Sequence, residues 1–364
     1  QFVIIRVALV AALLTVSTAR SAALPSEAEI RALLATGQKS EAVAAARSAV
    51  DQLEGSSEPA LTDALDLLVE VLIASDRAAD PETAELAERA VGLRRTAGAS
   101  PPVLAASLAR SGEVLTARRE LDRAAAVLTE AESQVGENDP LPRAMVLNRL
   151  GALRRVQGEA VEARRIYATA LDEHDRSGAP WDSEVERSLR GLGGSSYSIG
   201  DYHSARRAYQ RLYDGQVAAL GEDAVEVAVT RRHLAMTESA LGNLDAAEAL
   251  YLEALATLEA RVGPSHLEVA AAVNGLAVVA RKRGDLLQAR RLLERSLGIM
   301  EEIYGPIHRE VAGTLNNLGN VLGDLGDLDT ARQAFERALA IREGSPSPSP
   351  LEVAQSLSNL GGLL

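Results

Sequence analysis

Five polar residues recur at a fixed interval of 42: Asn148, Arg190, Arg232, Asn274 and Asn316. Arg149, His233 and Asn317 directly follow three of them, and Arg155, Arg281 and Lys282 lie further along the same segments. An asparagine amide both donates and accepts, which suits a peptide backbone, and an arginine grips a carboxylate through two parallel N–H groups. This is the chemistry of recognition rather than of bond making. Other patterns are weaker. His174, His203, His233, His266 and His308 show no paired metal spacing on one helix face. GLGGSSYSIG (191–200) lacks the Gly-Lys-Ser/Thr ending of a phosphate loop. No Ser/His/Asp arrangement carries a local signature, and stretches such as ARRLLERS read as amphipathic faces with internal ion pairs. Neither catalysis, a metal nor a cofactor is expected within residues 1–364.

Positioning those residues needs a scaffold, and composition says it is helical. Ala, Leu, Glu and Arg dominate while Phe and Trp nearly vanish, which favours helices packed through small side chains. The formal charge of −13 argues against a general nucleic-acid binder. With no cysteine, disulfides, thiolate metal sites and cysteine nucleophiles are excluded. The first 25 residues, QFVIIRVALVAALLTVSTARSAALP, place Arg6 before an apolar run and small residues at Ser21 and Ala23. This is the pattern of a secretory signal peptide over 1–23, so export to a periplasmic or extracellular site is expected. The run is short for a membrane span; an uncleaved N-terminal anchor is the alternative.

The chain repeats itself. ARQAFERALAIR, from Ala331, has relatives beginning at Ala289, Ala247, Ala205 and Ala163, each 42 residues apart, and weaker ones at Ala124, Thr83 and Ala42. Leu150, Leu192, Leu234, Leu276, Leu318 and Leu360 mark a second segment with the same period. Between the two segments sits Gly158, Gly200, Gly242, Gly284 or Gly326, at the place where a left-handed residue ends a helix. The unit is therefore helix, tight turn, helix. Proline punctuates the joints, as in GAPWDSE, GPSH and GPIH, and REGSPSPSPLEV (342–353) reads as a longer joint within one array. Around SDRAADPE (75–82) the turn inside the unit reads as expanded. Gly319 aligns with Gly151, Gly193, Ala235, Ala277 and Gly361, a small-residue slot for close helix approach, whereas Gly323 aligns with unrelated residues and reads as a variable surface position. Trp181 is expected to staple a joint, and Tyr197 is the one tyrosine expected outside the core.

The Leu318-Gly319 pair and the series Ala331, Phe335, Ala338 resemble the tetratricopeptide repeat, with Tyr167, Tyr209 and Tyr251 in the aromatic slot and Leu293 a departure from it. The period of 42 and the run HREVAGTLNNLGNVLGDLGDLDTARQAFERALAIRE are similar to the kinesin light chain subtype. The resemblance is strong over 140–364 and divergent over 24–139. It implies an all-α, right-handed α-solenoid of about eight stacked antiparallel helix pairs plus a half unit, its first helices lining a concave face and its second helices backing them.

Such a groove receives an extended peptide or a partner helix. The resemblance therefore makes Asn148, Arg149, Arg155, Arg190, Arg232, His233, Asn274, Arg281, Asn316 and Asn317 candidate partner-binding residues. Their arginines imply a locally basic inner surface that prefers an acidic segment or a free C-terminal carboxylate. The alternative is that they are ordinary solvated residues aligned by repeat duplication. Proteins similar to this one often carry an exported array ahead of a caspase-like peptidase domain of the CHAT type. Because NLGGLL falls inside a ninth unit, a sensor arm for such a domain beyond Leu364 is the rival expectation. A self-associating structural array is the third.

Overall fold

A computed structural model describes residues 24–55, 58–345 and 350–363. The leader expected over 1–23 and the Ser-Pro run at 346–349 lie outside the described residues. Among those described, every regular element is an α-helix, seventeen in all. They fall into two compact units, one ending at Gly158 and the other beginning at Glu159.

The first unit holds α1 (Glu27–Ala35), α2 (Lys39–Leu53), α3 (Glu58–Ala74), α4 (Pro81–Thr96), α5 (Pro101–Ala117), α6 (Leu121–Ser133) and α7 (Pro140–Val156). The second holds α8 (Ala160–Ser177), α9 (Ser183–Ser198), α10 (Tyr202–Leu220), α11 (Val225–Ala240), α12 (Leu244–Val262), α13 (Leu267–Lys282), α14 (Leu286–Tyr304), α15 (Arg309–Asp324), α16 (Leu328–Glu343) and α17 (Pro350–Gly361). Within each unit consecutive helices pack in series, the arrangement of an all-α solenoid.

The turns follow from backbone sterics. Gly158, Gly200, Gly242, Gly284 and Gly326 all have φ between +81° and +87°, a region costly for other L-residues. The acid that follows caps the next helix: the Asp201, Asp285 and Asp327 side chains accept from the backbone N–H of Ser204, Gln288 and Thr330. In the expanded turn before α4, Asp76 takes the left-handed conformation instead, at φ 62°. At two joints a histidine is the cap: His266 and His308 accept from Glu268 and Glu310 N–H through Nδ1 at 3.2 and 3.3 Å.

Close approach explains the small-residue slot. A Cβ on Gly319 would lie 2.6 Å from the Phe335 ring, and one on Gly193 2.7 Å from Tyr209. Gly191 and Gly275 perform the same service for Tyr167 and Tyr251 of the preceding pair. GLGGSSYSIG is thus a helix with aromatic rings seated on its glycines. Gly323 meets only Leu363 Cδ2, at 3.4 Å. Trp181 precedes α9, covers Gly215 and donates from Nε1 to Glu186 at 3.2 Å, so it staples the joint as expected. Asp182, next in the chain, is the α9 cap.

Ion pairs are less internal to helices than the sequence suggests. Arg290 does pair with Glu294 one turn on, but Arg295 reaches Glu259, and Arg211 and Arg337 reach Asp175 and Glu301, all 36 residues back. These exposed pairs join successive units while contributing little individually.

Candidate functional site

A polar-lined groove of the second unit runs across its first helices. Tyr197 of α9, Arg232 and Met236 of α11, Asn274 and Lys282 of α13, Thr314, Asn316 and Asn317 of α15 and Gln355 of α17 line a space of about 490 Å³. Tyr251, Met300 and Arg342 reach it from the second helices. Helix geometry produces this surface: the lining residues of one helix lie three or four apart, and the unit repeats them.

Asparagines couple neighbouring units along the groove. Asn317 Nδ2 donates to Asn274 Oδ1 and Asn359 Nδ2 donates to Asn316 Oδ1, both at 2.8 Å and both across 43 residues. Asn274 Nδ2 donates in turn to Thr314 Oγ1 at 3.2 Å. Each pair leaves amide capacity unspent, because an asparagine side chain offers two donors and an acceptor with two lone pairs.

The ten sequence candidates do not form one set. Arg232, Asn274, Asn316 and Asn317 line the groove. Arg281, with Lys282 and Asn317, borders a smaller pocket of about 270 Å³. Arg190 is exposed on α9, beside Glu186 at 3.6 Å. His233 stacks on Tyr209, with ring centroids 5.1 Å apart, and its Nε2 lies 3.3 Å from Arg232 Nη2. Burial first, then the charges of Arg232 and Arg190, pushes the His233 imidazole down to about 3. It is therefore a neutral acceptor near pH 7. Asn148, Arg149 and Arg155 belong to the first unit. Asn148 is fully enclosed and Arg149 is buried against Glu113, so neither offers surface; Arg155 is exposed.

Four of the candidate arginines already meet a carboxylate. Arg149 pairs with Glu113 at 3.0 Å, Arg190 with Glu186, Arg232 with Glu268 at 3.0 Å and Arg281 with Asp324 at 2.5 Å. Two other groove cations rest on neutral acceptors. Lys282 Nζ donates to the Ser239 carbonyl (2.6 Å) and hydroxyl (3.2 Å), and Arg342 Nη1 to the Glu352 carbonyl (2.6 Å) and Ser356 Oγ (2.7 Å).

Sequence reasoning missed Tyr251, Met300 and Arg342 because it sought contacts only on first helices. A signal was present. The twelfth residue of the second-helix motif is Arg94, His174, Gln216, Leu258, Met300 or Arg342 in successive copies from Thr83, with the copy at Ala124 a break, and all six are buried. Polar residues in so covered a slot needed a reason. Tyr197, the tyrosine expected outside the core, does line the groove. Among the described residues no group of three potential ligands could hold a metal ion, and no helix is long and apolar enough to cross a membrane.

A family model described as tetratricopeptide repeat matches residues 184–260, 267–344 and 310–364. No curated protein matches the chain. Among solved structures, NprR in complex with its cognate peptide NprX aligns with a TM-score of 0.59 at 12% identity, covering 82% of this chain and 81% of that one. A tetratricopeptide repeat protein from Parabacteroides merdae aligns at 0.55 and 17%, covering 82% and 98%. A putative kinesin light chain with nearly identical TPR-like repeats from Podosopora anserina aligns at 0.45 and 18%, covering 57% and 99%.

Proposed function

Because residues 184–260 and 267–364 match a tetratricopeptide-repeat family model, we propose that the chain is a non-catalytic interaction scaffold whose second unit holds an extended peptide in the groove across α9, α11, α13, α15 and α17. One observation carries this reading: the same groove combines amide pairs with unspent hydrogen-bonding capacity and half-open apolar places beside Met236, Tyr251 and Met300. Backbone amides of a ligand satisfy the former, and alternate side chains fill the latter. NprR, which shares the fold, was crystallised in complex with a peptide, and that supports the class of ligand. The preference is for an acidic segment or a free carboxylate. Export on the leader places the scaffold outside the cytoplasm.

Selection of a random peptide library on the full chain tests this. Enriched peptides bind the parent chain and lose binding to Ala271→Trp, which fills the groove from α13, while Arg207→Glu on α10, away from the groove, leaves binding intact. Peptides that bind all three chains alike overturn the groove. Sedimentation over a range of concentrations addresses the self-associating array, which requires oligomers that grow with concentration.

A further inference from the structure

Arg342 sits in the slot that holds Leu258 and Met300 in the two preceding units, and it is only 8% exposed. Its equivalent in the first unit, Arg94, shows what a buried arginine there requires: Asp63 and Asp66 accept from it at 2.5 and 2.9 Å. Among the described residues Arg342 has no such pair: its hydrogen bonds go to a carbonyl and a hydroxyl, and the nearby Glu352 carboxylate pairs with Arg309 at 3.0 Å. Burial pushes the Arg342 guanidinium below its usual range, with the Glu352 charge opposing. Desolvating a cation is costly unless an anion compensates it. Arg342 lines the groove, where Lys282 is likewise held by neutral oxygens.

We propose that Arg342 is the carboxylate subsite of the groove, reading an acidic group on the bound peptide, with Lys282 a second cation along the same wall. This rests on the groove reading above and relocates its charge preference. Among the described residues Arg190 and Arg232 have matched carboxylates, and Arg342 and Lys282 do not. The ligand therefore carries an acidic side chain or chain terminus at the α16–α17 end, and apolar groups toward Tyr251 and Met236.

Arg342→Met is the discriminating variant, because methionine already fills this slot at position 300 and removes a buried charge without leaving a cavity. Its melting temperature is expected to equal or exceed that of the parent chain. A random peptide library is selected on both chains, once with free C-termini and once with C-termini fused to the display protein. The parent enriches Asp or Glu, or requires a free terminus, and Arg342→Met loses that acidic preference while enriching the same apolar positions. A selected peptide remade with glutamine for glutamate, or amidated when the terminus is what matters, loses about tenfold or more on the parent and nothing on the variant. Acid enrichment that persists on Arg342→Met, or is absent on the parent, overturns the proposal while leaving the groove standing. If no peptide is enriched on either chain, the groove reading fails and melting in sodium acetate against sodium chloride at equal ionic strength decides the subsite. Stabilisation by acetate that disappears in Arg342→Met upholds it; equal response of the two chains overturns it.

Discussion

Asn317 Nδ2 donates to Asn274 Oδ1 at 2.8 Å, from one helix pair to the one before it. The bond lies partly buried in the groove wall, so it both fixes the register of α13 against α15 and orients two amides toward a ligand. A double-mutant cycle on Asn274→Ala and Asn317→Ala, followed by urea unfolding, is expected to show a coupling of about 1 kcal/mol. Additive losses would mean that the two amides do not act together.

Helix propensity alone says that replacing a mid-helix glycine by alanine stabilises by about 1 kcal/mol. The structure divides the glycines by sign. Gly298, in α14, has nothing within 4 Å of a built Cβ, so Gly298→Ala should raise stability by about 0.5–1 kcal/mol. At Gly319 the same methyl meets the buried Phe335 ring, and Gly319→Ala should lose about 1–3 kcal/mol despite better propensity. Denaturation midpoints of the two variants moving the same way would refute the close-packing account.

Period, turns and small-residue slots were legible in the sequence because backbone geometry imposes them on every unit. Gly326 must be left-handed and Gly319 must admit Phe335, whatever the ligand. The charge state of the groove was not legible. Aligning repeats shows that Arg190 and Arg232 share a position, but not that Arg232 faces Glu268, which lies 36 residues away. That offset is set by how one helix pair lies on the next. Arg342 was hidden for the opposite reason: its neighbours in the slot are Leu258 and Met300, so the motif reads as core.

His233 gives an acid-sensitive stability. Its folded pKa, about 3, is lower than the ordinary 6.5 of the unfolded chain, so between those values the unfolded state binds more protons. Stability contributed by neutral His233 is thus fully present above pH 6.5 and is lost as pH falls toward 3. Between pH 7 and pH 5 the loss is up to about 2 kcal/mol. Urea unfolding of the parent chain and His233→Gln at both pH values checks this. The variant should lose less on acidification, and equal losses would show that the imidazole stays protonatable in the folded chain.

Arg94 and Asp66 of the first unit provide the counterpart to Arg342. Their side chains are 11% and 10% exposed, and Asp66 also accepts from Ser107 Oγ at 2.7 Å. Arg94→Met leaves the Asp66 carboxylate enclosed with its main partner gone, since Arg110 stands 3.6 Å away. The expected loss is about 3 kcal/mol. Adding Asp66→Leu removes the orphaned charge and should restore most of it, the mark of a desolvation cost rather than of lost packing. The same substitution therefore acts in opposite directions at two equivalent positions, destabilising at Arg94 and neutral or stabilising at Arg342. Melting curves for Arg94→Met, Arg342→Met and the Arg94→Met/Asp66→Leu pair read this directly, and a loss of similar size at both arginines would show that the slot needs a cation for packing alone.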